Sequence, residues 1–145
     1  MLQLHQVNRI WQQAPHNAFT DLIDFNGALW CVCREGSSHV SGDGALRILR
    51  SEDTLNWHSV ALIQDDGADL RDAKFSQTPD GKLLLLGAGA LHDRSICSHQ
   101  SYIWQSDDGA NWSAATAIGE HNKLGKSSLI YLFHENYGIL YMKYV

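Results

Sequence analysis

The sequence predicts an all-β chain built from recurring four-stranded antiparallel units, and three observations lead there. A Ser/Asp/Asn/Trp pattern occurs twice, as Ser51-Glu52-Asp53-Thr54-Leu55-Asn56-Trp57 and as Ser106-Asp107-Asp108-Gly109-Ala110-Asn111-Trp112, at a separation of 55 residues. Asn26-Gly27 and Asp80-Gly81, 54 residues apart, are strong hairpin turns, because Gly takes positive φ freely and Asn or Asp tolerates it; Tyr137-Gly138 is a looser third. No long window carries apolar residues at i, i+3, i+4 and i+7 behind a cap, so helix signals are nearly absent.

The elements follow in order. Phe19 to Phe25 and Ala28 to Cys33 flank the first Gly turn, and Leu46 to Leu49 and Val60 to Ile63 flank the first Ser/Asp/Trp turn. The pattern returns with Lys74 to Thr78, Leu83 to Gly87, Tyr102 to Trp104 and Ala115 to Ile118, then with a last hairpin from Leu129 to Phe133 and Ile139 to Val145. The chain therefore parses as one domain: a leading outer strand over about 7–12, units over about 18–63 and 72–118, and a hairpin over about 128–145. Four strands recurring every 55 or so residues are the mark of a β-propeller blade, which makes the expected fold a partial propeller.

Composition narrows the class of function. Of 145 residues 44% are hydrophobic and 19% charged, with five Trp, globular values that exclude a disordered tail. Acids outnumber bases 16 to 11 and no Lys/Arg cluster is present, which argues against a nucleic-acid groove. The longest apolar runs, such as Leu83 to Leu86, are too short to span a membrane, and the first residues lack the basic and apolar regions of a secretory signal. Three cysteines, Cys31, Cys33 and Cys97, read as reduced thiols in a cytoplasmic protein. Cys31 and Cys33 share one face of a strand; buried apolar thiols fit them better than a metal site with Cys97, His92 or His99, so no metal or cofactor is expected.

Ser-x-Asp-(Gly)-x-x-Trp on a hairpin resembles the Asp-box, or BNR repeat, of sialidases and related propellers. Ser51, Asp53 and Trp57, then Ser106, Asp108 and Trp112, fill its structural positions, with Thr54 where Gly is usual. The resemblance to bacterial exo-sialidase-like proteins extends to Asn17-Ala18-Phe19-Thr20-Asp21-Leu22, Arg34-Glu35-Gly36-Ser37-Ser38-His39-Val40, Asp43-Gly44-Ala45-Leu46-Arg47 and Asp69-Leu70-Arg71-Asp72. Such propellers have six blades, and this chain supplies about two and a half. The resemblance therefore implies either association, a dimer or trimer completing the ring because open sheet edges invite pairing, or a truncated propeller that folds into something smaller.

Meander topology puts the Gly turns and the Ser/Asp/Trp turns at one end and the remaining loops at the other. That second rim receives His16 and Asn17, Arg34 through Asp43, Asp65 through Asp72, His92 to His99, and Glu120-His121. Sialidase-like chemistry needs cations for a sugar carboxylate, an acid for the leaving oxygen and a nucleophile. The resemblance implies Arg34 and Arg71 for carboxylate or hydroxyl binding, and Glu35, Asp69 and Asp72 as catalytic acid or base. His39 and Asp21 are the further substrate-binding candidates. The Phe-Arg-Ile-Pro motif is absent, and Tyr131, Tyr137, Tyr141 and Tyr144 do not match the family's nucleophile by context. The expected function is thus a carbohydrate-binding or glycoside-hydrolysing propeller, active only when assembly completes the pocket, or else a non-catalytic or truncated propeller module for carbohydrate or protein binding. Plainer readings stand beside these: Arg34-Glu35 and Arg71-Asp72 as ion pairs, His39 as a bonded loop residue, His92-Asp93-Arg94 as solvated surface, and Gly87-Ala88-Gly89 as a strand end.

Overall fold

A computed structural model describes residues 6–95, 97–118, 133–135 and 138–140. Among these the chain is all-β, without a helix. The alternating residues around Asn26-Gly27 form the hairpin of β1 (His16–Phe25) and β2 (Ala28–Gly36). Phe25 pairs with Ala28, and Asn26 and Gly27 take φ of 51° and 74°, the type I′ turn whose twist matches that of the strands. With β3 (Ala45–Ser51) and β4 (His58–Ile63) they make an antiparallel sheet in the order β1-β2-β3-β4.

The second sheet repeats this meander with β5 (Ala68–Gln77), β6 (Leu83–Leu91), β7 (His99–Ser106) and β8 (Thr116–Ile118). Its first turn is wider than that of sheet one. Gln77 pairs with Leu83 across five residues, in which Gly81 takes φ of 86° and its N–H donates to Thr78 O at 2.9 Å. A short pair, β9 (Phe133–Glu135) and β10 (Gly138–Leu140), lies within the hairpin expected over 128–145; the rest of that span is outside the described residues.

Two expectations need correction. Residues 6–13 belong to no strand, so the leading strand at 7–12 is not formed; Trp11 instead docks by its side chain, donating its indole N–H to Glu35 and lying 5.4 Å below the Arg47 guanidinium. The strands also reach further toward the rim than the sequence implied: β2 runs to Gly36, β5 starts at Ala68 and β6 continues to Leu91. Arg34, Glu35, Asp69, Arg71 and Asp72 are therefore strand residues. Charged side chains near a loop disguise a strand whose backbone pairing continues beneath them.

One face of each sheet closes on a shared core. Phe25, Trp30, Val32, Leu46 and Ile48 from the first sheet meet Leu70, Leu83, Leu85 and Trp104 from the second, and each such burial contributes roughly 1.5–3 kcal/mol. On the other face of β2, Cys31 and Cys33 are buried as well, and burial is the chief cause that pushes their thiols up to about 11 and about 12. β1 and β5 contact each other, tied by Asp21, which accepts the Phe75 N–H at 2.8 Å and pairs with Lys74 at 3.5 Å.

Both of these strands carry the same irregularity. Register slips between Ala18 and Asp21 in β1 and between Arg71 and Lys74 in β5, leaving one extra residue in each. In those bulges Phe19 and Asp72 both take φ of 55°, a region that non-Gly residues enter only under constraint.

Candidate functional site

The loops 37–44, 64–67 and 92–98 meet at one end of the sheets. His92 joins them: its Nε2 lies 2.7 Å from Gly42 O, its Nδ1 3.0 Å from Asp66 O, and its backbone N–H donates to Gly67 O at 2.8 Å. Leu70 N–H adds a bond to Gly44 O at 3.0 Å. His92, Asp93 and Arg94 are exposed, as the surface reading has it, and the His92 ring is in addition bonded on both nitrogens.

Beneath this rim lies a chain of charges. Arg34 is 0% exposed. Its Nε and one terminal nitrogen donate to Asp69 Oδ1 at 3.1 and 2.8 Å, and the remaining donors reach Ser38 O at 3.0 Å and Ser41 Oγ at 3.0 Å. Gly44 makes room for the pair, since a Cβ there would sit 1.8 Å from Asp69 Oδ1. The second Asp69 oxygen takes Arg71. Removing Arg34 would leave Asp69, 2% exposed, with its main countercharge gone, at a cost of about 3–5 kcal/mol. Arg34 is therefore a structural cation shut away from solvent, and the substrate-binding role expected for it does not fit its position.

Alternation along β2 sends Glu35 to the opposite face from Arg34. There it accepts both Arg47 Nε at 3.2 Å and Arg47 NH2 at 2.9 Å, so it is neither beside Asp69 nor facing the same space. The ion pairs are real, but the partners differ from the sequence neighbours: Arg34 with Asp69, Arg47 with Glu35, Arg71 with Asp69. Asp21 serves the β1–β5 junction. With both oxygens engaged by guanidinium groups, Asp69 presents nothing to a leaving group, whereas the Asp72 side chain makes no hydrogen bond among the described residues.

What remains open is Arg71. Its guanidinium is about a quarter exposed, and its Nε is enclosed without a hydrogen-bond partner. Burial, then the charges of Arg34 and Arg94, press its pKa below the ordinary value, against Asp72. His99, two strands away on the Asp69–Ala90–His99 row, has its own pKa lowered by burial and then by Arg71 and Arg94. Arg71 and Arg94 thus bring two guanidiniums to one corner, beside the uncharged ring of His99, on a chain of formal charge −5. Such a corner can hold a carboxylate or another oxyanion. Arg94 and His99 were legible only as rim residues; their convergence on Arg71 depends on the β6–β7 register.

His39 is found beside His16 and Phe19, with ring centroids 5.2 and 5.3 Å away, at the same end of β1. Tyr131, Tyr137, Tyr141 and Tyr144 lie outside the described residues.

No family model matches the chain, and no curated protein matches it. A crystal structure of a protein of unknown function from Dyadobacter fermentans is similar in fold, with a TM-score of 0.58 and 20% sequence identity. The likeness covers 70% of this chain and 36% of that one, so this chain spans little more than a third of that protein's length. At this identity the likeness speaks to fold alone.

Proposed function

We propose that the two sheets are neighbouring blades of a sialidase-like β-propeller and that their rim binds an acidic sugar through Arg71. The blade reading is supported by two four-stranded meanders with the same bulge and the same Ser/Asp/Trp turn, the Asp-box pattern. The observation that carries the ligand class is Arg71 itself, partly exposed, with its Nε enclosed and unpartnered and the charges of Arg34 and Arg94 acting on it.

Binding is favoured over hydrolysis. Among the described residues Asp69 is locked between two guanidiniums and Glu35 faces away, leaving Asp72 without a second carboxylate beside it. Catalysis would require groups from further blades, supplied by other copies of the chain in a dimer or trimer. N-acetylneuraminic acid titrated against the protein by NMR should give saturable shifts that Arg71→Ala abolishes and Arg71→Lys weakens. Binding that survives Arg71→Ala would overturn this assignment. A fluorogenic sialoside, assayed alongside solution mass by light scattering, tests the assembly: turnover by a strict monomer would contradict it.

A further inference from the structure

The bulge in β1 holds a feature that the charge corner does not use. Phe19 is 39% exposed and sits at φ of 55°, so an aromatic side chain occupies a backbone position where Gly or Asn would rest without strain. The corresponding position of β5 carries Asp72, a residue type that this region admits more readily. Nothing in the core requires Phe19, which lies outside the shared cluster.

The ring is not alone. The exposed imidazole of His39 tilts against it at 52°, and His16 meets His39 edge-on at 64°. Neither His39 nitrogen makes a hydrogen bond among the described residues, and His16 Nδ1 is enclosed without a partner. An apolar face flanked by imidazole N–H and N groups has the chemistry of a sugar-ring seat: the C–H face of a pyranose lies on the aromatic ring while its hydroxyls reach the polar edges.

We propose that Phe19, His39 and His16 form a stacking subsite for a neutral pyranose, separate from the corner where Arg71 takes the acidic one. The subsite deepens the acidic-sugar reading and stands on separate residues. Lactose, N-acetylneuraminic acid and 3′-sialyllactose are the probes, titrated by NMR against the full chain. Phe19→Asn, whose side chain tolerates the left-handed region and so spares the fold, should weaken lactose and 3′-sialyllactose about fivefold and leave N-acetylneuraminic acid unchanged. His39→Ala should act in the same direction, and Phe19→Tyr should restore affinity.

The outcomes separate the two sites. Lactose binding that depends on Phe19, with no binding of N-acetylneuraminic acid, would sink the acidic-sugar reading and uphold the subsite. Wild-type protein that ignores lactose, or variants that bind it as the wild type does, would overturn the subsite whatever Arg71 does.

Discussion

The turns Ser51–Trp57 and Ser106–Trp112 carry one set of bonds in two settings. In each, the Asp side chain accepts two backbone N–H groups through Oδ1, Leu55 and Asn56 at 2.9 and 2.7 Å in the first, Ala110 and Asn111 at 2.9 and 2.8 Å in the second. In each, the Asn amide reaches Asp Oδ2 and the Trp indole N–H returns to the carbonyl three residues earlier. The surroundings differ. Gly109 lies against the Trp30 ring of the other sheet and Trp112 stacks on Phe75 at 6.3 Å, whereas Thr54 and Leu55 are exposed. The turn is thus a local construction that needs no burial, and the residue after its Asp is dictated by the neighbouring sheet.

That explains the departure at Thr54. Both positions have positive φ, 66° at Thr54 and 78° at Gly109, so both carry the same backbone demand. Only Gly109 carries the steric one as well, since a Cβ there would stand 2.5 Å from two Trp30 ring carbons.

Swapping the two residues breaks the comparison most severely. Gly109→Thr should destabilise the protein by about 3 kcal/mol, from the clash with a buried indole added to backbone strain, as read from the urea midpoint. Truncating the indoles comes next: Trp112→Ala should cost about 2–3 kcal/mol because its ring packs on the core, and Trp57→Ala less than about 1 kcal/mol. Equal losses would show that both turns are packed alike. Thr54→Gly should raise stability by up to about 1 kcal/mol, relief of strain being partly offset by the freedom Gly has when unfolded.

Acid should distinguish the turns least. Hydrogen bonds from the Asn56 and Asn111 backbones, first among their causes, hold Asp53 and Asp108 below the usual carboxylate range. A carboxylate depressed in the folded state contributes fully above its unfolded value, about pH 4, and its contribution fades as pH drops from there toward the folded value. Melting temperature should therefore decline below about pH 4, and Asp53→Asn and Asp108→Asn should each make the decline shallower by a similar amount.

Much of this frame was legible beforehand. The two Trp turns, the Asn26-Gly27 hairpin and the strand periodicity around them announce eight strands in two sheets, because turn chemistry is local. The site was not legible in the same way. Arg34 and Glu35 read as one loop pair, yet β2 continues through them and the pleat divides them between two faces, with partners 35 and 12 residues away. Long-range pairing of this kind leaves no trace in spacing. Trp11 shows the converse: the repeat pattern placed a leading strand at 7–12, but that segment belongs to no strand and its indole docks on Glu35 and Arg47.

The placement of two thiols on the concealed side of β2 gives the molecule its own clock. A thiolate reacts with alkylating reagents and a thiol hardly does, so Cys31 and Cys33, enclosed and pushed to about 11 and about 12, stay silent while the first sheet is intact. Their labelling rate in native buffer would then time the opening of that sheet, one excursion per modified protein.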